Sequence, residues 1–92
     1  MRSYYQIWER RRSENWTNEK TVSAAYDLEE ARSLMAFLVT DHMINNPEYQ
    51  FAIERETNPE VDPDWASAIE ISYTRYGTRE IYRVWAVEIG EG

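Results

Sequence analysis

The sequence predicts an α+β fold, a two-layer sandwich in which one amphipathic helix packs on one face of a four- or five-stranded, mostly antiparallel sheet. Three observations predict it. Several short segments alternate between apolar and polar residues, one longer segment repeats apolar residues at three- and four-residue steps, and turn-forming residues separate the segments. The element order is β-β-α-β-β-β. With 92 residues, the chain is expected to form a single domain over residues 1–92.

Two strands are predicted before the helix. Residues 3–11, SYYQIWERR, are rich in aromatic and β-branched residues and alternate, so that Ile7 falls on one face and Tyr4 and Trp8 on the other. Residues 19–26, EKTVSAAY, carry the same signal more weakly. We therefore expect a hairpin whose polar turn lies between these two segments.

The helix is the clearest element of the sequence. Asp27 is suited to accept hydrogen bonds from the first helical turn, and Glu30 follows three residues later, as in a capping box. Pro47 disfavours helical geometry in the residue before it, so the helix is expected over residues 28–45. The apolar stripe that would face the sheet consists of Leu28, Ala31, Leu34, Met35, Leu38, Val39, His42 and Met43.

Three further strands are predicted after the helix, over residues 49–56, 68–76 and 80–89. The last of them is apolar on both faces and is therefore expected to be central in the sheet. Residues 57–65, TNPEVDPDW, predict a loop because proline, asparagine and aspartate favour turns. A short helix near the end of this loop would give the alternative, ferredoxin-like connectivity.

One helix covers only part of one sheet face, so the second face is expected to be polar or covered by something else. Its predicted residues are Tyr4, Trp8, Tyr82, Val84 and Ala86, with Tyr76 beside them. Aromatic groups of this kind are enriched in binding interfaces. The alternative is that the loop carrying Trp65 folds over this face and completes the core.

Composition excludes several kinds of chemistry. The chain has no cysteine and no glycine-rich phosphate loop, and its one histidine, His42, lies near the carboxyl end of the helix, where a structural role is expected. No apolar run approaches the ~20 residues that span a bilayer, and the first residues lack the apolar core of a signal peptide. We therefore expect a cytoplasmic protein that is not an enzyme, with no catalytic residue, cofactor or metal site.

Acidic residues give the main functional prediction. The formal net charge is -7, and five acids lie within eleven residues that hold only one arginine, from the end of the third predicted strand through the loop after it. This favours a non-enzymatic interaction module, a small acidic inhibitor or adaptor that binds a basic surface of a nucleic-acid-processing protein, because carboxylates can occupy sites built for phosphates. The predicted contacts are Glu54, Glu56, Glu60, Asp62 and Asp64, with Trp8, Trp65 and Tyr82 as aromatic anchors. In size and acidity the chain resembles the small inhibitors that phages make against host nucleic-acid enzymes, including anti-CRISPR proteins; the resemblance covers no motif.

Two alternatives remain open. The first is a single-stranded nucleic-acid-binding module that uses Arg10, Arg11, Arg12 and Trp16 together with aromatic residues of the sheet. The negative net charge opposes it, and consecutive arginines along a strand point to opposite faces. The second alternative is a homodimer or assembly component, in which the uncovered face or an edge strand pairs with a second copy.

Overall fold

A computed structural model describes residues 3–57 and 67–90 of the chain. Its elements are β1 (Ser3–Arg12), β2 (Thr17–Ala25), α1 (Leu28–Ile44), β3 (Ala52–Thr57), β4 (Ser67–Arg75) and β5 (Thr78–Gly90). The predicted fold class is confirmed: five strands form one sheet, and the helix packs on one of its faces. The residues on which the ferredoxin-like alternative depends lie mostly outside the described part of the chain.

The strands lie in the order β2-β1-β5-β4-β3, and every neighbouring pair is antiparallel. The longest strand, β5, is central, as its apolar content on both faces predicts. It pairs with β1 from Ser3↔Gly90 to Arg12↔Ile81 and with β4 on its other side. The first and last described strands of the chain are therefore direct neighbours.

Helix α1 begins at Leu28, as predicted, and ends at Ile44, one residue before the predicted end. Asp27 is extended, with φ -139° and ψ 168°, and its Oδ1 accepts a hydrogen bond of 2.7 Å from the backbone N–H of Glu30. The Glu30 carboxylate accepts in turn from the backbone N–H of Tyr26, one residue before the cap, at 3.1 Å. The helix ends at Ile44, and the cap residue Asn45 donates its N–H to the carbonyl of Asp41.

A tight turn joins β4 to β5. Its two residues, Tyr76 and Gly77, have φ values of 50° and 78°. Two central residues with positive φ are typical of the type I′ turn, whose twist matches that of the flanking strands. The open space around Gly77 shows that backbone conformation, not crowding, is what favours glycine there.

Both edge strands carry a bulge. The register shifts at Val22 in β2, between the pairs Ile7↔Ser23 and Trp8↔Thr21, and at Glu54 in β3, between Ile53↔Ile71 and Arg55↔Glu70. Bulges and charged residues on an edge strand hinder further strands from adding to the sheet. The described edges are thus poorly suited to pairing with a second copy.

The core lies between α1 and one face of the sheet. Its largest fully buried side chains are Tyr82, Ile7, Met35, Ile71 and Val84. The prediction that Tyr82, Val84 and Ala86 lie on the uncovered face is wrong, because all three are at most 2% exposed and belong to this core. Their neighbours in β5, Ile81, Trp85, Val87 and Ile89, lie on the other face instead. Among the described residues, no helix is long and apolar enough to cross a membrane.

Candidate binding surfaces

The sheet face opposite α1, called the open face below, combines aromatic and charged side chains. Residues directly opposite each other in an antiparallel ladder share a face. The register therefore places Trp8 beside Trp85, and Arg10 beside Arg83, on two adjacent strands. Trp8 was predicted on this face, whereas Trp85 was expected to point to the other side.

Trp8 and Trp85 stack on each other at the middle of the open face. Their ring centroids are 6.0 Å apart and their planes differ by 19°. The guanidinium carbon of Arg83 lies 4.7 Å from the Trp85 ring centroid, a cation–π distance. Both tryptophans remain partly exposed. They form a stacked aromatic pair with the Arg83 guanidinium over the ring of Trp85.

A row of charged residues crosses the open face beside this pair. From one edge strand to the other it consists of Glu19, Arg10, Arg83, Glu70 and Arg55, each opposite the next. Arg10 Nη2 lies 3.5 Å from Glu70 Oε2, and these two side chains are about one fifth exposed, at 21% and 20%. Partial burial, followed by the charge of Arg10, lowers the pKa of Arg83. Arg10 and Arg83 thus lie side by side at the middle of the row, with Glu70 beside Arg10 and opposite Arg83.

Glu54, the bulge residue of β3, is not a free carboxylate. It accepts hydrogen bonds from the Ser72 hydroxyl and from the Arg79 guanidinium. The bond from Ser72 and then that from Arg79 lower the pKa of Glu54 below its ordinary value. Both of these partners lie on the open face, so the Glu54 carboxylate is already bound there. Of the other predicted acidic contacts, Glu56 is exposed, and Glu60, Asp62 and Asp64 lie outside the described residues, as does Trp65.

Two turns bring further aromatic groups to one end of the sheet. Trp16 follows the β1–β2 turn, where its carbonyl accepts from the N–H of Ser13, and is 45% exposed. Tyr76 of the β4–β5 turn is 89% exposed, with Arg75 5.4 Å from its ring centroid. Trp16 and Tyr76 line one shallow groove of about 340 Å³. The structure therefore places Trp16 in one groove with Tyr76, a proximity that the sequence did not indicate.

The three consecutive arginines point to two faces, as predicted for strand residues. Arg10 and Arg12 lie on the open face, opposite Arg83 and Ile81. Arg11 lies on the helix side, opposite Tyr82, with its guanidinium carbon 5.7 Å from the Tyr82 ring centroid. The triplet therefore contributes two charges, not three, to the open face.

Tyr82 belongs to a buried polar cluster on the helix side. Its hydroxyl donates a hydrogen bond of 2.7 Å to Glu9 Oε1, and its ring stacks on that of His42 at 4.1 Å and 3°. Burial and then the bond to Glu9 raise the pKa of Tyr82, so that the phenol stays protonated. Tyr82 is 2% exposed, which excludes it as a surface anchor.

His42 is 6% exposed and, within residues 3–57 and 67–90, its Nε2 has no hydrogen-bond partner. Burial, and secondly the positive charge of Arg11, lower the pKa of His42. The ring also contacts Phe51 and Tyr73, at centroid distances of 6.1 and 5.6 Å. His42 is thus a neutral core residue, although its side chain also borders a cavity of about 300 Å³ with Glu9, Arg11 and Tyr82.

The outward side of α1 carries two large apolar residues that sequence reasoning passed over. Phe37 is 65% exposed and Ile44 is 68% exposed. Seven residues separate them, and Glu30 and Asp41 fall on the same side of the helix by its 3.6-residue period. These four residues are called the outer stripe of α1 below. The signal was present in the sequence, since both apolar residues lie off the stripe that faces the sheet.

Charge is divided between the two sides of the sheet. Five arginines on the open face, Arg10, Arg12, Arg55, Arg79 and Arg83, stand against three glutamates, Glu19, Glu54 and Glu70. The other charged residues that the structure describes lie on the helix side or in loops. There are ten acids among them, Glu9, Glu14, Asp27, Glu29, Glu30, Asp41, Glu48, Glu56, Glu80 and Glu88, and four bases, Arg11, Lys20, Arg32 and Arg75. Among the described residues, acids therefore outnumber bases on the helix side and in the loops.

Within the described ranges, no group of three or more acidic or histidine side chains is placed to hold a metal ion. Comparisons with protein-family models, curated proteins and solved structures find no match to this chain.

Proposed function

We propose that the protein is a non-enzymatic interaction module, an inhibitor or adaptor that docks the outer stripe of α1 onto a basic protein surface. The partner carries an apolar cleft for Phe37 and Ile44, bordered by lysine or arginine. A nucleic-acid-processing protein is the partner class that we favour, because its phosphate-binding surface presents such cations. The charge of this side carries the proposal: among the described residues, the helix side and the loops hold ten acids against four bases, and Phe37 and Ile44 lie exposed on the helix between them.

Exposure of Phe37 and Ile44 supports docking through this stripe. Contact between large apolar side chains and water is unfavourable in free energy, and a partner that covers them removes that contact. Apolar groups surrounded by polar ones are also typical of the centres of protein interfaces. Glu30 and Asp41 lie on the same side of the helix, so a basic rim on the partner would meet them. Of the acids predicted in the 54–64 segment, Glu54 is the weaker contact, because its carboxylate is already bound by Ser72 and Arg79.

The test compares two variants that each remove exposed apolar surface. Phe37→Ala/Ile44→Ala removes the apolar part of the outer stripe, and Ile53→Ala removes a side chain that is 70% exposed on the edge strand β3. Each protein is immobilised, incubated with lysate of the cell from which the chain comes, and washed. Captured proteins are then quantified by mass spectrometry.

We expect a protein with a basic surface to be retained by the wild type and by Ile53→Ala, released by high salt, and lost on the double variant. Salt sensitivity follows from the charged rim. An addition of the wild-type chain to the purified captured protein should then inhibit its action on nucleic acid. Capture of the same proteins by all three chains would contradict the proposal.

A further inference from the structure

We infer that the cavity at the carboxyl end of α1 receives an arginine side chain of the basic partner, a step that rests on the proposed docking of α1. The cavity has a volume of about 300 Å³ and is lined by residues of β1, β5 and the last turns of α1. Asp41 belongs both to its lining and to the outer stripe. A basic side chain at the border of a partner bound to the outer stripe would therefore lie next to the cavity.

Glu9 is a buried anion with unused capacity to accept hydrogen bonds at the wall of this cavity. It is only 9% exposed, yet among the described residues its carboxylate accepts one hydrogen bond, from the Tyr82 hydroxyl. Lys20 Nζ and Arg11 Nη2 lie 3.8 and 3.9 Å from its oxygens, which is too far for a hydrogen bond. A carboxylate can accept about four hydrogen bonds, and a buried charge is stabilised by each donor that it gains.

The helix end that lines the cavity also favours a positive charge. Asp41 contributes a second carboxylate, which accepts from the Asn45 amide at 3.2 Å. The carbonyl end of a helix carries partial negative charge and attracts cations. His42 is neutral, so it does not repel a cation, and its Nε2 has no hydrogen-bond partner among the described residues. The lining thus combines two carboxylates and a helix carboxyl end with one guanidinium, that of Arg11.

An arginine suits this lining better than a lysine. The planar guanidinium can donate two parallel hydrogen bonds to one carboxylate, whereas an ammonium binds as a point charge. A guanidinium is also more weakly hydrated, so it loses less when it leaves water for a partly enclosed cavity. Arg11 shows that such a group fits beside these residues, since its guanidinium carbon lies 5.7 Å from the Tyr82 ring centroid.

Arg11 also distinguishes a cationic occupant from an anionic one. Its side chain is 53% exposed and lies beyond hydrogen-bond distance of Glu9, so it is free to turn into solvent. Its charge repels an incoming cation, and its removal should therefore tighten the binding of an arginine side chain. A phosphate, a carboxylate or a zwitterion would instead bind to Arg11 and lose affinity on its removal.

The test uses Nα-acetyl-arginine amide as the probe, Nα-acetyl-lysine amide as a second cation, and the neutral isostere Nα-acetyl-citrulline amide as the control. His42 is the only histidine of the chain, so its imidazole signals in NMR spectra report on the cavity without ambiguity. Glu9→Gln keeps an acceptor for the Tyr82 hydroxyl and removes the charge. Arg11→Gln removes the competing cation, and Glu29→Gln removes an exposed acid from the first turn of α1 as the matched control.

We expect the arginine probe to shift the His42 signals saturably at low salt, the lysine probe to bind more weakly, and the citrulline probe to cause no saturable shift. Glu9→Gln should weaken binding of the arginine probe about ten-fold or more, as for the loss of a hydrogen bond to a charged group. Arg11→Gln should tighten it several-fold, and Glu29→Gln should leave it unchanged. Thermal melts establish that each variant is folded. Where Glu9→Gln is unstable, Arg11→Gln, at a half-exposed side chain, still decides the sign.

Three outcomes would overturn the inference. The first is an absence of saturable shifts with the arginine probe, and the second is an equal response to the citrulline probe. The third is weaker binding in Arg11→Gln, which would assign the cavity to an anion or a zwitterion. A lysine probe that binds more tightly than the arginine probe would overturn the choice of side chain.

Capture from lysate separates this inference from the proposed docking. Phe37→Ala/Ile44→Ala should lose the protein partner and still bind the arginine probe, because neither residue lines the cavity. Equal retention of the partner by the wild type and by Glu9→Gln would leave the docking in place and remove the role of the cavity in it. Binding of the probe without capture of any partner would contradict the docking alone.

Discussion

The two faces of the sheet treat polar side chains in different ways. On the helix side, Glu9, Tyr82 and His42 are each at most 9% exposed, and the Tyr82 hydroxyl binds the Glu9 carboxylate directly. On the open face, Ser72 and Thr57 are as buried, at 6% and 7% exposed, but Arg10 and Glu70 keep about one fifth of their side-chain surface in contact with solvent. Polar groups removed from water must bind one another or destabilise the fold, whereas partly hydrated ones can exchange partners. Stability is therefore expected to depend more on the buried cluster of the helix side than on the charged row of the open face, and binding on the outer stripe of α1.

The largest effect should come from a matched pair of isoleucines. Ile7 is fully buried under α1, whereas Ile81 lies partly exposed on the open face of the neighbouring strand. Ile7→Ala should lower the free energy of unfolding by about 2–5 kcal/mol, and Ile81→Ala by less than about half of that, because water already contacts part of its side chain. Urea unfolding measures both values. Equal losses of unfolding free energy in the two variants would mean that the open face is a second core and that the two faces do not differ in this respect.

The next largest loss of stability is expected on removal of the buried Tyr82 hydroxyl. Tyr82→Phe keeps the ring on His42 but leaves the Glu9 carboxylate without its donor, with Lys20 Nζ at 3.8 Å and Arg11 Nη2 at 3.9 Å as its remaining partners. The expected loss is about 1.5–3 kcal/mol, the range for a hydrogen bond to a charged group. Tyr26→Phe, at a side chain that is 86% exposed, serves as the control and should change stability by less than about 0.5 kcal/mol. A Tyr82→Phe protein as stable as this control would show that the bond contributes nothing.

Local sequence signals predicted the elements well, because the residues that set them are close in the chain. Asp27 and Glu30 lie three residues apart and mark the start of α1. Alternation also divided β5 into two sets of side chains, yet both sets are apolar, so hydrophobicity alone did not say which one meets the helix. Register decides it: the small Ala86 lies opposite Ile7, which leaves room for α1 to pack closely, whereas Trp85 lies opposite Trp8. Such pairing joins residues nearly eighty positions apart and has no local signal.

A third comparison uses pH and concerns His42. The unfolded residue titrates near pH ~6.5, and in the fold its pKa is lower, because of burial and of Arg11; Glu9, Glu80 and Asp41 act in the opposite direction. The stability that neutral His42 contributes is therefore complete above pH ~6.5 and is lost as the pH falls toward the folded pKa. His42→Phe keeps an aromatic ring against Tyr82 without a proton to gain. From pH 7 to about 5.5, the melting temperature of the wild type should fall more than that of His42→Phe. Parallel curves for the two proteins would contradict this role of His42.

The smallest effect is expected on the open face itself. Arg10 and Glu70 form a pair at 3.5 Å, and Arg83, opposite both of them, competes for the same carboxylate. A double-mutant cycle of Arg10→Met and Glu70→Gln should give a coupling free energy of about 0.2–1 kcal/mol in low salt, and less in high salt, since the pair is partly hydrated. Urea unfolding of the four proteins measures it. A weak, salt-sensitive pair is the result expected where water still contacts both side chains. A coupling of several kcal/mol that salt does not change would mean that these arginines are fixed structural residues, and that the open face differs from the helix side only in its exposure.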